Sequence, residues 1–292
     1  MSNVDRIIVL GAALCGIAMV VLSVWMLTRY PATADLTDGY RTPVLAFEFA
    51  QTPADLAFMT GDSDSAVRHR AAMAAGQQLD TAFPVAYAGL IVFLLLGQAR
   101  RGRKLAWAGA LIGLLIVPAD WHENAVMAAV LNTLSAGDPV APLLPTLWTA
   151  TWLKWGAIAV ALATLGLGAL RERQRVNGGL ALLAAILIAA TAAQGAPGWL
   201  AEGMMVGLSL SLLGLAVGAT RRSRSVRTSA RPTTPRSMSE VTRPLMTPNR
   251  DIGSDRSRST MPSEVSLARP TVVKAALKTT VCVKMPAIRN SR

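Results

Sequence analysis

Val117-Pro118-Ala119-Asp120-Trp121-His122-Glu123-Asn124 sets two carboxylates, an imidazole and a carboxamide inside a long apolar run. Charged groups at membrane depth are costly, so those that occur pair with one another, face a protein interior, or carry function. Whether this octet lies in a membrane is decided by what surrounds it. Hydrophobic residues make up 52% of the chain while aromatics are only 5%, and apolar runs near twenty residues recur along it. That balance belongs to an all-α, polytopic helical membrane protein rather than to a soluble domain.

Six spans are expected, at about 7–28, 80–98, 105–134, 147–170, 178–193 and 199–219. The first, Ile7–Leu27, follows a short polar start. It is too long for a signal-peptide core, although Ala32-Thr33-Ala34 has the form of a cleavage site, so an uncleaved signal anchor is expected. The third span should continue past Pro118 with a kink and stop before Gly137-Asp138-Pro139. Arg100, Arg101, Arg103 and Lys104 follow span two, Arg171, Arg173 and Arg175 follow span four, and Arg221, Arg222 and Arg224 follow span six. Basic connections stay on the cytoplasmic side, which predicts a cell (inner) membrane protein with both termini in the cytoplasm.

Residues 30–79 then form an extracytoplasmic, amphipathic cap. Pro43–Ala50 is apolar around Glu48, and Thr52-Pro53-Ala54-Asp55 offers an N-cap, a proline in the first turn and an acidic residue behind it, which predicts a short helix. Ser65–Gln78 reads as helix running directly into span two. The expected partner of the whole domain is the lipid bilayer.

The net charge of +12 invites a nucleic-acid reading, but its location removes that reading. Residues 221–292 hold 16 Lys+Arg against 4 Asp+Glu, which leaves residues 1–220 neutral, with 13 of each. The basic excess is a property of a Ser-, Arg- and Pro-rich tail whose composition predicts a disordered cytoplasmic extension. No nucleic-acid partner is expected for the folded part. Cys15 lies mid-span and Cys282 in the tail, so no disulfide is expected.

Counting depth at about 1.5 Å per helical residue brings three sets of polar groups to one level. Asp80 starts span two, and Tyr87 lies on the same face about 10 Å deeper. Asp120 lies about 24 Å up a core about 30 Å thick, with Glu123 and Asn124 on its face. Lys154 lies about 10 Å below Leu147 in span four. Glu48 in the cap and Glu202 at the start of span six are within reach of this level, and Trp148, Trp152 and Trp155 form a stripe beside Lys154. The candidate site is therefore Glu48, Asp80, Tyr87, Asp120, Glu123, Asn124 and Lys154, with Trp148, Trp152 and Glu202 around it.

Several carboxylates near one ammonium cannot all stay charged in a dry site, so at least one holds a proton or binds a further cation. His122 is turned about 100° from Glu123, and His69 is the sole other histidine, so no metal site is expected and no cofactor is implied. The sequence lacks GxSxG, HExxH, a Walker loop and GxGxxG. The readings left are a protein binding a small polar ligand or lipid head group, an enzyme doing acid/base chemistry on a lipid, a proton-coupled transporter, and a structural ion-pair cluster. Against the transporter stand the absence of an inverted repeat and the apolar stretches Leu90–Leu96 and Leu105–Ile116.

Phe47-Glu48-Phe49-Ala50 with Thr52-Pro53, the LDxxFxxxY segment Leu79–Tyr87, the DxxEN segment Asp120–Asn124, and Lys154 after tryptophans resemble a group of uncharacterised bacterial multi-spanning membrane proteins. The resemblance covers residues 40–160 and implies the architecture and the site residues, but no activity. The Asp–Glu–Asn arrangement is also loosely similar to sterol-isomerase-type membrane domains, whose intramembrane carboxylates handle protons on a lipid. Six spans depart from that pattern, so the similarity serves only to name the enzyme alternative.

Overall fold

The computed structural model describes residues 2–229 apart from Asp38, with side chains described through residue 224. Residues 221–229, expected to open the disordered tail, are helical instead, and the rest of that tail lies outside the described residues. Those described are helical, with no strand among them. The helices are α1 (Asn3–Met26), α2 (Pro43–Glu48), α3 (Asp64–Asp80), α4 (Phe83–Arg100), α5 (Lys104–Ala136), α6 (Leu144–Arg171), α7 (Arg175–Ala193) and α8 (Gly198–Ser229). Six helical stretches are long and apolar enough to cross a membrane, with α3 and α4 counting together as one.

The six stand in a closed ring of neighbours in the order α1, α4, α5, α6, α7, α8 and back to α1. Small residues build the contacts: Ala12 and Gly16 of α1, Ala161 of α6, Ala181 and Ala184 of α7, and Ala216 of α8 are buried. Large ones such as Leu14, Leu111, Leu153, Ile186 and Val206 are exposed. This inversion of the soluble pattern is what a bilayer asks for. Lipid solvates Leu as well as protein does, so association relies on close packing of small side chains. Gly109 and Gly113 face α6 and α4, so that GxxxG works inside the bundle.

At one end, here called the cap end, the ring is closed over by residues 30–80. With 33 residues α5 is about 50 Å long, well beyond a hydrocarbon core of about 30 Å. Its last turns would stand naked without the cap. Phe47, Leu56, Phe58, Met59 and Met73 pack instead on Val126, Met127, Val130, Leu131 and Leu134, as a second core separate from that of the bundle. α5 then stops at Gly137, whose left-handed φ of 75° ends the helix as no residue with a Cβ does without strain.

One expectation about the spans needs correction. The chain from 64 to 100 is not one continuous helix. α3 ends at Asp80 and α4 begins at Phe83, because Pro84 has no N–H and its ring clashes with the carbonyl four residues back, which belongs to Asp80. The span expected at 80–98 thus starts at 83, and Asp80 belongs to the cap. The short helix expected from Thr52-Pro53-Ala54-Asp55 is present as the 3-10 stretch Pro53–Met59, with Asp55 Oδ2 accepting from the N–H groups of Gln51 (2.9 Å) and Thr52 (2.8 Å). The third span continues past Pro118 within α5, as expected.

Candidate functional site

The polar residues of α2, α3, α4, α5 and α6 meet at the cap end of the bundle. Lys154 is the hub. Its Nζ lies 3.2 Å from Glu48 Oε2 and directly against Glu123 Oε2, so the cap and α5 both hold α6 through one ammonium. The same Nζ stands 5.1 Å from the centre of the Trp155 ring. Lys154 (5% exposed), Glu48 (6%), Asp120 (3%) and Glu123 (0%) are shut away from solvent. Asp80, at the broken end of α3, is partly exposed.

Glu48 is bound on every side. Trp155 Nε1 donates to its Oε2 at 3.2 Å, and Thr151 Oγ1 donates to its backbone carbonyl at 2.9 Å. Thr151, Lys154 and Trp155 share a face of α6 at i, i+3 and i+4, so one helix face receives the whole C-terminal end of α2. The N-terminal end of α2 is held by Glu202, which does not join the carboxylates as expected. Its Oε1 accepts from the N–H groups of Arg41 (2.9 Å) and Thr42 (2.7 Å), and its Oε2 from Thr42 Oγ1 (2.7 Å). Glu202 is a positioning residue that aims Glu48 at Lys154.

On the opposite side, Asp120 Oδ2 accepts from Tyr87 Oη at 2.7 Å and Asp120 Oδ1 from Asn124 Nδ2 at 3.1 Å. Asp80 lies beside Asp120 and Asn124, close enough for its charge to act on both Asp120 and Tyr87. Trp121 Nε1 donates to the Thr81 carbonyl at 2.9 Å, which satisfies one of the groups freed where α3 gives way to α4. The octet around Asp120 thus works with both its faces. Asp120, Glu123 and Asn124 point into the site, and Trp121 braces the helix break beside it.

The remaining sequence candidates are packing groups. Trp148 and Trp152 surround Phe49, with ring centroids 6.2 and 5.3 Å away, and Trp155 stacks on it at 6.3 Å. His122 is exposed and lines an apolar groove of about 490 Å³ between α5 and α6, together with Leu115, Pro118, Trp152, Leu153 and Val160. None of the four carboxylates lines that groove. Among the described residues, no group of three or more His, Cys, Asp or Glu side chains is placed to hold a metal ion.

No match to this chain is found among family models, curated proteins or solved structures.

Sequence reasoning overlooked four participants. Thr151 was legible in principle, one turn from Lys154 on the same face. Trp155 belongs to the tryptophan stripe, but nothing in the stripe shows that its indole N–H anchors Glu48. Tyr30 and Gln77 carried no signal at all, because each belongs to the cap and only the tertiary arrangement brings it near. Tyr30 packs on Gly76, where any side chain would collide with its ring. Burial, with the charges of Asp80 and Glu48 behind it, pushes the Tyr30 phenol far above its ordinary range, so it stays a neutral donor. Its Oη, Gln77 Nε2, Asn124 Oδ1 and Glu123 Oε1 are buried without a hydrogen-bond partner.

Proposed function

We propose that this is a membrane-embedded sensing or binding protein whose cluster lies on the extracytoplasmic side and holds protons, and that proton loading governs how tightly the cap is clamped to the bundle. One observation carries the reading. Lys154 is gripped between Glu48 of the cap and Glu123 of α5, inside a group of four carboxylates. One ammonium cannot balance four carboxylates in a site this dry, so α5 retains at least one proton on Asp120 or Glu123. When that proton leaves, the new negative charge is uncompensated, and stability falls as pH rises through the transition. A small polar ligand or an anionic lipid head group would act on the same joint, by replacing Glu48 as the partner of Lys154.

The meeting of Asp80, Tyr87, Asp120 and Asn124 beside that ion pair supports this reading. The enzyme alternative wants carboxylates facing an apolar pocket, whereas the apolar groove beside the site is lined by His122 and Trp152. The transporter alternative wants a polar path beyond Tyr87, where Leu90, Ile91, Leu95, Ile116, Ile158 and Leu162 are fully packed.

The test is a pH titration of the full chain in phosphatidylcholine nanodiscs. It reads tryptophan fluorescence, which Trp155 couples to Glu48, and protease resistance of residues 30–79. Both should change together in one reversible transition on raising pH. Asp120→Asn and Glu123→Gln should each displace it, and the double variant should abolish it. A wild type whose fluorescence and protection are flat across the titration overturns the proposal.

A further inference from the structure

If the cluster holds protons, they must reach groups that are shut away. Asp120, Glu123, Glu48 and Lys154 are each at most 6% exposed. Of the four carboxylates, only Asp80 is partly exposed. It lies where α3 breaks, at the level at which the cap meets the bundle, and beside Asn124 and Asp120. Around it stand three buried polar atoms without partners: Tyr30 Oη, Gln77 Nε2 and Asn124 Oδ1. Gln77 is on the Asp80 face of α3, one turn earlier, and is 8% exposed. Tyr30 packs over Gly76 next to it, within the field of Asp80 and Asp120.

A hydroxyl, an amide donor and an amide acceptor next to an ionisable carboxyl are the surroundings that hold a water molecule, which takes two to four polar partners when buried. We infer that Tyr30, Gln77, Asp80 and Asn124 form a water-binding port through which Asp120, and beyond it Glu123, exchange protons with the medium. The inference rests on the proton-holding reading above and adds the route.

The step is a plain transfer. Hydronium gives its proton to an Asp80 oxygen and departs as water, and the carboxyl O–H of Asp80 then passes a proton to Asp120 Oδ1 directly or across the bound water. Asn124 Nδ2 keeps that oxygen in position. The other charged groups near the port are already engaged. Glu48 is on Lys154, Tyr87 is on Asp120, Arg70 Nη1 is on the carbonyls of Met59 and Gly61, and the His69 ring is on that of Phe58. Asp55 is bound to the N–H groups that open its own turn. Among the four carboxylates of the cluster, Asp80 alone is open to the medium.

A stopped-flow pH jump on the full chain in nanodiscs reads the rate of the tryptophan transition. Asp80→Asn should slow the approach to the final signal by about tenfold or more, whatever it does to the midpoint. Asp80→Glu should restore the rate, and so should a small weak acid such as azide added to Asp80→Asn. Asp138→Asn, which removes an exposed acid elsewhere at the cap end, should leave the rate unchanged. A second measurement needs no substitution. Brief treatment of the wild type with a water-soluble carbodiimide and an amine should label Asp80 ahead of Glu48, Asp120 and Glu123, and slow the transition alike. A normal rate in Asp80→Asn, or labelling of Asp120 before Asp80, overturns the port while leaving the clamp standing. A wild type with no transition overturns both.

Discussion

The two halves of the bundle are joined by different forces. In the half away from the cap, the buried contacts of α4, α5 and α6 are made by Leu90, Leu95, Ile116, Leu162 and Leu165, with Gln98 as a buried polar insert whose Nε2 donates to the Leu165 carbonyl at 3.0 Å. The ion pairs of that half, Arg100–Asp5 and Arg101–Glu172, lie at the helix ends with their arginines open to solvent, where such pairs add little. At the cap end the same helices, with α2 and α3 added, meet through an ammonium, four carboxylates, a phenol and two indoles. Lipid offers apolar side chains no incentive to associate, so the apolar half is held by shape and by contacts that slide at little cost. The polar half is held by partners that have no substitute in hydrocarbon. That makes it specific, and it makes the contact between cap and bundle depend on protonation. The apolar half is a frame, and the polar half is a joint.

Substitutions can break or sharpen this contrast. Lys154→Met should have the largest effect, because it leaves Glu123 and Glu48 buried without a counter-charge, a loss of about 3–5 kcal/mol. Thermal unfolding in detergent would show it, and Glu123→Gln added to the same chain should recover much of the loss. Tyr87→Phe takes one donor from Asp120 and should cost about 1–2 kcal/mol, near the upper end for an interhelical hydrogen bond in a membrane. It should also move the alkaline transition, since the Asp120 carboxylate is then less well satisfied. Gln98→Leu should be nearly silent, at about 0.6 kcal/mol, and should leave the pH titration untouched. If Gln98→Leu costs as much as Tyr87→Phe, polar contacts are equivalent throughout the bundle and the distinction between frame and joint is lost.

Much of the site was legible beforehand, for a physical reason. A helix rises by a constant step, so counting from one end of each span gives a depth, and groups at equal depth on adjacent spans can meet. This placed Tyr87, Asp120, Glu123, Asn124 and Lys154 together without any contact information. It worked less well where the chain leaves regular helix. Asp80 was assigned to the start of a span although Pro84 ends the helix ahead of it. Glu202 was given to the carboxylate group on depth alone, but the side chain instead caps the helix that carries Glu48. Depth fixes a level and says nothing about azimuth or about how a connecting segment folds back.

The chain's own composition and periodicity determined that it is an all-helical membrane protein with six spans and that costly polar groups share one level of the bundle. These follow from the apolar run lengths a bilayer requires and from the constant geometry of a helix. Only the tertiary structure decided which carboxylates touch Lys154, that Glu202 serves the cap, that Tyr30 and Gln77 stand over Asp80, and that His122 faces away. Those outcomes depend on how six helices turn about their axes and on how residues 30–80 fold over α5. Both are set by many small packing contacts between segments distant in sequence, and no local pattern records them.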